Sequence, residues 1–130
     1  MFLDDVYDYL IAQGVVSTGW SLHVGYFTDD ADQTIGIFPT GGLPQDTLGR
    51  ENLRPTFQTR IRASKLDFAT AYAKWQDVFN ALQDAKDTPG SPHLLPGVAY
   101  VQAMAGAPLC FNDDKERPNM TSNWRVLVAR

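Results

Sequence analysis

The sequence has little of what marks several specialised protein classes. Its single cysteine, Cys110, excludes an internal disulfide, and it lies between Leu109 and Phe111, an environment typical of a small buried apolar residue. The two histidines, His23 and His93, are far apart, so a zinc site would need carboxylates or the cysteine to complete it. No apolar run approaches the roughly twenty residues needed to cross a bilayer, so we expect no contact with a membrane.

Basic residues are also scarce relative to acidic ones. Eleven Lys and Arg against 15 Asp and Glu give a net charge of −4 and a pI near 4.9. A nucleic-acid coat needs a basic face to displace phosphate counterions, so DNA binding is not expected as the main activity. Residues 1–10 carry acids where a secretory signal carries Lys or Arg, which predicts that the chain stays in the cytoplasm in which it is made.

Sequence signatures of catalysis and of phosphate binding are missing. Gly41 and Gly42 are not followed by GK[ST], and no G-x-G-x-x-G opens a helix. Neither G-x-S-x-G nor a kinase signature occurs. The residues therefore predict neither an enzyme nor a cofactor.

Two acidic segments are the remaining candidates for a small-molecule or metal site. Asp29, Asp30 and Asp32 suggest calcium, but an EF-hand loop starting at Asp30 needs Gly at position 35 and Glu at 41, where this chain has Ile and Gly. The second segment, residues 113–116, is interleaved with bases and is followed by Arg117, which is typical of a solvated loop tip. We expect no metal, and a small ligand- or metal-binding domain stays an alternative that a metal-dependent melting shift would support.

The strongest local pattern is a strand that passes into a helix. Residues 57–63 alternate between two faces, which predicts a strand whose odd positions face the core and whose Arg60 and Arg62 project from a wet face. From Ser64 the period changes to steps of three and four, which predicts a helix that begins at a capping box of Ser64 with Asp67. Its stripe, expected to be core, is Phe68, Tyr72, Trp75, Phe79 and Leu82.

Residues 1–130 are predicted to form one domain. Outside the strand and helix just described, the chain is predicted to add a second helix and further strands. The predicted segments are a helix over 2–13 ended by Gly14, a hairpin over 21–38, strands over 98–104 and 119–129, and irregular stretches over 39–55 and 105–118, with the main helix ending near Ala85. Two helices and about five strands pack economically in an α+β fold of two layers. Both helices would then lie on one face of a mainly antiparallel or mixed sheet.

The stretch from Pro39 to Pro55 is longer than an ordinary connection, and loops of about a dozen residues are usually functional or mobile. It holds Leu43, Leu48 and Leu53, apolar residues with no periodic face to join. We expect the loop to be mobile in the free protein and to bury these leucines against a partner, with coverage of the subunit's own sheet edge as the alternative. Amide hydrogen exchange on free and assembled protein distinguishes the two.

Five segments in chain order carry a resemblance to a known family. They are the helix LDDVYDYLIAQGV, the strand GYF with its acidic turn, IGIFPTGGLPQDT, ENLRPTFQTRIRA running into DFATAYAKWQDVFNAL, and YVQAMAGAPLCFNDDKERPNMTSNWRVLVAR. Their order resembles the tail terminator proteins, often labelled "minor capsid protein", of tailed bacteriophages with long non-contractile tails. The segments cover nearly the whole chain, and none of them is a catalytic motif.

The resemblance implies a structural virion protein made in the host cytoplasm and placed in the tail or neck. It implies a ring, usually of six copies, on the head-proximal end of the tail tube. The ring stops tube polymerisation and offers a surface to the head–tail connector or stopper protein, with DNA only as cargo in the lumen. Another neck component, a head-completion or stopper protein, stays the alternative within the structural class.

Candidate interface residues share a place on the two long loops or on the sheet face predicted to be wet. They are Leu43, Leu48, Arg50, Leu53, Arg54, Arg60, Arg62, Asp113, Asp114 and Arg117. The arginines among residues 50–62 also form a local basic cluster, which alone is typical of a solvated rim. We expect the interface role to depend on Arg forks that pair with carboxylates of a neighbour.

Overall fold

The structure, a computed structural model, describes residues 2–29, 31–41, 55–86, 95 and 97–128, and omits the side chains of residues 2, 99 and 128. The elements are α1 (Phe2–Ala12), β1 (Ser21–Val24), β2 (Thr34–Pro39), β3 (Thr56–Arg62), α2 (Phe68–Leu82), β4 (Val98–Ala103), β5 (Leu109–Asn112) and β6 (Pro118–Val128). Neither of these helices combines the length and the apolar character needed to span a bilayer. Two helices with one mixed sheet confirm the predicted α+β class.

The sheet is built around its longest strand, β6. The strand order is β1-β2-β3-β6-β4, and β5 also pairs with β6. One edge of β6 pairs with β3, while the other edge pairs with β5 at its start and with β4 at its end. This division explains why residues 109–112 form a strand within a stretch predicted to be irregular: β4 covers only the second half of an 11-residue partner.

The predicted hairpin over residues 21–38 is wrong. β1 and β2 run parallel, with Ser21 opposite Thr34 and Val24 opposite Ile37. Parallel strands cannot be joined by a tight turn, so the chain must travel back along the sheet before β2 begins. We call the described residues of this connection, 25–29 and 31–33, the crossover. Its acidic sequence is typical of a turn, and for that reason the sequence predicted a hairpin in place of this return path.

The alternation predicted for β3 is confirmed. Phe57, Thr59 and Ile61 are buried on the face that meets the helices, together with Met120 and Trp124 of β6. Trp124 donates its indole N–H to Thr59 Oγ1 at 3.0 Å and stacks on Phe57 at 6.3 Å between ring centroids. The hydrogen bond offsets the desolvation cost of the buried indole N–H, so this side of the sheet is a well-packed core.

The helix α1 contributes to the same core. Leu3, Val6 and Leu10 are buried, whereas Ile11 is exposed. Gly14 follows at φ +74°, the left-handed conformation that only glycine adopts without steric cost, so the predicted helix end is confirmed.

The start and the end of α2 differ from the prediction. Asp67 is the N-cap and accepts a hydrogen bond from the Thr70 backbone N–H at 3.2 Å, so the predicted capping box with Ser64 does not form. The chain turns before the cap, with Leu66 at φ +61°. The helix ends at Leu82, three residues before Ala85, because the next residues leave the helical conformation.

The apolar stripe of α2 is only partly core. Trp75 and Leu82 are buried and Phe79 is half-buried, but Phe68 and Tyr72 are exposed. The helix is rotated relative to the predicted stripe, so that the face with Ala71, Lys74 and Val78 meets the core. Lys74 can be buried because its ammonium donates to Val15 O at 2.8 Å and Ser17 Oγ at 3.1 Å, pairs with Asp77 and lies over the Trp20 ring.

The face of β3 that was predicted to be wet is covered at one end, where Arg62 lies. Arg62 is 4% exposed and donates hydrogen bonds to the backbone oxygens of Thr28 at 2.5 Å, Asp32 at 3.2 Å and Ala31. The prediction of a wet position is therefore wrong, because the crossover passes over this side chain. Burial, followed by the charge of Arg117, lowers the pKa of Arg62, and three backbone acceptors keep the guanidinium satisfied.

A second buried arginine ties the crossover to the connection between β5 and β6. Arg117 is 4% exposed and forms ion pairs with Asp29 at 2.6 Å, Asp113 at 2.9 Å and Asp32 at 3.4 Å. Lys115 also pairs with Asp29, at 2.5 Å. The prediction of a solvated loop tip is thus wrong for Arg117, because it has three carboxylate partners, two of them from a segment distant in sequence.

Substituting Trp75 tests the core face of α2. Its indole N–H donates to Ser122 Oγ at 2.7 Å and its ring lies 5.1 Å from Phe79. Trp75→Ala should therefore lower the free energy of unfolding in urea by about 3 to 5 kcal/mol through cavity formation. The exposed Phe68 is the matched control, and Phe68→Ala should cost about 1 kcal/mol or less. Equal effects of the two substitutions would contradict the observed rotation of the helix.

Acid should weaken the ion pairs of Arg117. Hydrogen bonds from Lys115 and then Arg117 lower the pKa of Asp29 to about 2. Burial opposes ionisation of Asp113, but hydrogen bonds from Arg117 and Lys115 outweigh it and lower that pKa as well. A carboxyl group with a depressed pKa stabilises the fold above its unfolded pKa near 4, and this contribution is lost as the pH falls toward about 2.

We therefore expect the free energy of unfolding of the wild-type protein to decrease over this pH window. Arg117→Met should be less stable at neutral pH and should lose less stability between about pH 4 and 2. The exposed Arg125, bonded to Gln102 Oε1, supplies the control Arg125→Met. Urea titrations at each pH measure the effect, and parallel pH profiles of wild type and Arg117→Met would contradict it.

Candidate assembly interface

The sheet face opposite the helices, which we call the far face, carries the candidate interface. Phe38 of β2, Arg60 of β3 and Phe111 of β5 lie on it, because strand pairing places Arg60 opposite Thr121 and Phe111 opposite Asn119. No described helix covers this face.

Arg60 is the centre of an aromatic cluster on the far face. Its guanidinium carbon lies 5.4 Å from the ring centroid of Phe38, 5.7 Å from that of Phe27 and 5.8 Å from that of Phe111. Aromatic faces attract a cation, so the rings hold the guanidinium in place. The Nε atom is buried and has no hydrogen-bond partner among the described residues. We call Arg60 with these rings the Arg60 cluster.

A glycine makes the cluster possible. A Cβ on Gly36 would lie 2.6 Å from the Phe38 ring and 2.8 Å from the Phe27 ring, closer than side chains pack. Any other residue at this position of β2 would push the two rings apart. Phe27 belongs to the crossover, so the cluster also depends on Arg62, whose guanidinium lies 4.7 Å from the same ring.

Exposed apolar side chains continue the far face along β5. All four residues of β5 are exposed, including Cys110, so the prediction of a buried cysteine is wrong; the strand lies at the margin of the sheet, beyond the helices. Leu109 is 70% exposed and borders an open cleft of about 440 Å³ that also has Met104, Thr56 and Thr121 in its lining.

A second exposed apolar group lies on the helix side of the sheet. Leu66, Phe68 and Tyr72 are exposed, and the rings of Phe68 and Tyr72 stack with centroids 6.2 Å apart. We call these three residues the α2 knob. The sequence did not identify it as a surface, because the period that predicts a buried stripe is the same for a stripe that extends past the subunit's own core.

The structure places the predicted interface residues in different environments. Arg60 remains on a partly exposed face, whereas Arg62 and Arg117 are buried, and Asp113 is bound by Arg117; Asp114 is exposed. The remaining candidates, Leu43, Leu48, Arg50, Leu53 and Arg54, lie outside the described residues, as does most of the predicted 39–55 loop. Their interface role stays a prediction.

The acidic segments do not form a metal site within the described part of the chain. No group of His, Cys, Asp and Glu side chains there is arranged to hold a metal ion. Asp29, Asp32 and Asp113 instead converge on Arg117, whose positive charge offsets part of theirs. Opposite charge in the crossover and in residues 113–117 was the only sequence signal for this contact.

Comparison with known proteins identifies the family. The family model described as "Bacteriophage tail terminator protein" matches residues 9–93. No curated protein is significantly similar in sequence.

Solved structures share the fold at low sequence identity. A chain of "Virion of native gene transfer agent (GTA) particle" superposes with a TM-score of 0.66 at 15% identity, over 96% of this chain and 92% of that one. A chain of "Cryo-EM Structure of an Extracellular Contractile Injection System, PVC sheath/tube terminator in extended state" superposes with a TM-score of 0.54 at 17% identity, over 98% of this chain and 56% of that one.

The family match confirms the resemblance derived from the order of the sequence segments, and it spans well over half of the chain. The protein therefore belongs to the bacteriophage tail terminator family and is a structural component of the virion tail.

Proposed function

We propose that copies of this tail terminator assemble into a ring, most simply a hexamer, on the head-proximal end of the tail tube. The ring stops tube polymerisation and presents a surface to the head–tail connector. It acts through binding alone and carries out no catalysis. The observation that carries the proposal is the far face, where a partly exposed arginine lies beside Phe111 of β5, a strand whose four residues are all exposed.

Apolar side chains on β5 are costly to leave in water. Burying one large apolar side chain contributes about 1.5 to 3 kcal/mol, and Leu109 and Phe111 are both exposed in the subunit. Contiguous exposed apolar residues mark interaction sites on soluble proteins. In a protein of the virion tail, the neighbouring copy and the tail tube are the surfaces available to cover them.

Arg60 adds specificity to this surface. Three aromatic rings fix its direction before binding, so little side-chain entropy is lost when a partner carboxylate arrives. Arg also pairs with carboxylates through two parallel hydrogen bonds. Every copy of this chain carries a net charge of −4 and so offers such carboxylates to its neighbour.

The acidic net charge also suits a ring through which DNA passes. A lumen of the same sign as the phosphate backbone does not retain DNA, so the nucleic acid moves as cargo and not as a ligand. The family match favours a terminator at the tube end over a head-completion or stopper protein.

Electron microscopy of tails made with and without the protein tests the proposed function. Tails lacking it should be longer than normal and unattached to heads, because nothing ends polymerisation or joins the connector. Tails made with it should carry ring density at the head-proximal end. Tails of normal length that join heads in the absence of the protein would overturn the proposal.

Replacing Arg60 tests the surface that carries the proposal. Arg60→Met keeps an apolar stem between the rings and removes the charge, so the melting temperature should change little. The affinity for tube ends should fall about tenfold or more, as for other interface arginines held in apolar surroundings. Asp8→Asn, which removes a charge from an exposed position of α1, is the control. Normal tail lengths with Arg60→Met would contradict the role of the cluster.

A further inference from the structure

We propose that neighbouring copies join head to tail by inserting the α2 knob of one copy, Leu66, Phe68 and Tyr72, into the cleft beside Leu109 of the next. The inference rests on the proposed ring and identifies the two surfaces that close it. A ring needs two different surfaces on each copy, arranged so that repeated contacts return to the first subunit.

One residue of the knob, Leu66, presents an apolar side chain to water from a disfavoured backbone conformation. Leu66 is 71% exposed at φ +61°, a left-handed conformation that disfavours leucine and favours glycine or asparagine. The backbone there is fixed, because Leu66 N–H donates to Glu116 O at 2.9 Å and Lys65 pairs with Glu116 at 3.3 Å. Strain that presents an apolar side chain to water points to a use in binding.

The cleft is concave and is lined by apolar and uncharged polar residues. It lies between the Thr40–Thr56 hydroxyl pair and the bend at residues 104–108, where Ala105 and Ala107 leave room for larger side chains. Its volume of about 440 Å³ lies in the range of cavities that enclose ligands. Leu109 provides an apolar wall that is otherwise in water.

Charge does not oppose the contact. Among the described residues, no charged side chain lines the cleft. On the knob, Lys65 and Glu116 neutralise each other, and the Asp67 carboxylate accepts the Thr70 N–H at the helix start. Lys65 and Glu116 would therefore enter the contact as an ion pair and not as isolated charges.

The placement of the two surfaces favours a second copy as the occupant. The knob belongs to the helix layer, whereas Thr56 and Thr121 in the cleft lie on the far face of the same sheet. One copy therefore cannot fill its own cleft with its own knob. Stacking the helix layer of one subunit on the far face of the next gives a contact between two different surfaces, as a ring requires.

Two substitutions in the knob separate stability from assembly. Leu66→Asn removes the apolar side chain and relieves the left-handed strain, so its melting temperature should equal or exceed that of the wild type, while ring formation weakens about tenfold or more. Tyr72→Ser should weaken the ring similarly. Ile11→Ser removes an exposed apolar side chain outside both surfaces and is the control. Sedimentation and tail capping measure assembly.

Cross-linking tests the pairing itself. In a Cys110→Ser background, a chain with both Phe68→Cys and Ala107→Cys should form a disulfide ladder that ends at the closed ring when rings are oxidised. Either substitution alone should leave monomers. Dimers from Phe68→Cys alone would show that knobs pair with knobs. Rings of the double variant without cross-links would show that something else occupies the cleft, such as residues 42–54. Either result would overturn the inference.

The two levels of failure are distinguishable. Wild-type protein that forms no ring and does not cap tails would defeat the proposed function and this inference with it. Rings that form equally well with Leu66→Asn and Tyr72→Ser would defeat the knob-in-cleft contact and leave the proposed function intact.

Discussion

The far face depends on two buried guanidinium groups that hold the crossover against the sheet. A parallel β1–β2 pair forces the chain to return along the sheet, and this return segment has backbone carbonyls that no strand partner satisfies. Arg62 binds three of them, and Arg117 binds the carboxylates of Asp29 and Asp32 in the same segment. Arginine suits this position because one planar group supplies several donors in fixed directions.

The chemistry of the exposed surface follows from that arrangement. Because the two arginines fix the crossover on the sheet, Phe27 lies beside Phe38 and both rings contact the Arg60 guanidinium. The rings therefore orient Arg60 and cover part of it within the single subunit. The acids that suggest a metal site are the same acids that keep Arg117 buried and neutralised. Charge in this protein thus serves to position the aromatic rings around Arg60 on the far face.

The sequence correctly predicted the parts of the fold in which apolar and polar residues alternate along a strand. The inward positions of β3 and those of Trp124 and Val126 in β6 were correct, because a period of two depends only on which face is buried. The parallel pairing of β1 with β2, strand β5 and the burial of Arg62 and Arg117 were missed. The burial of the two arginines depends on contacts between segments far apart in sequence, such as Arg117 with Asp29 across 88 positions, which no local pattern encodes.

The aromatic stripe of α2 shows why an exposed apolar surface is difficult to recognise from sequence. Phe68 and Tyr72 continue the spacing of Trp75 and Phe79, yet only the second pair packs on the subunit's own sheet. Hydrophobic periodicity reports only which side chains share one face of a helix, and the spacing is the same whether the subunit's own sheet or another molecule covers that face. A stripe that runs past the edge of its own core is therefore the pattern expected when one helix serves both the fold and the contact between copies.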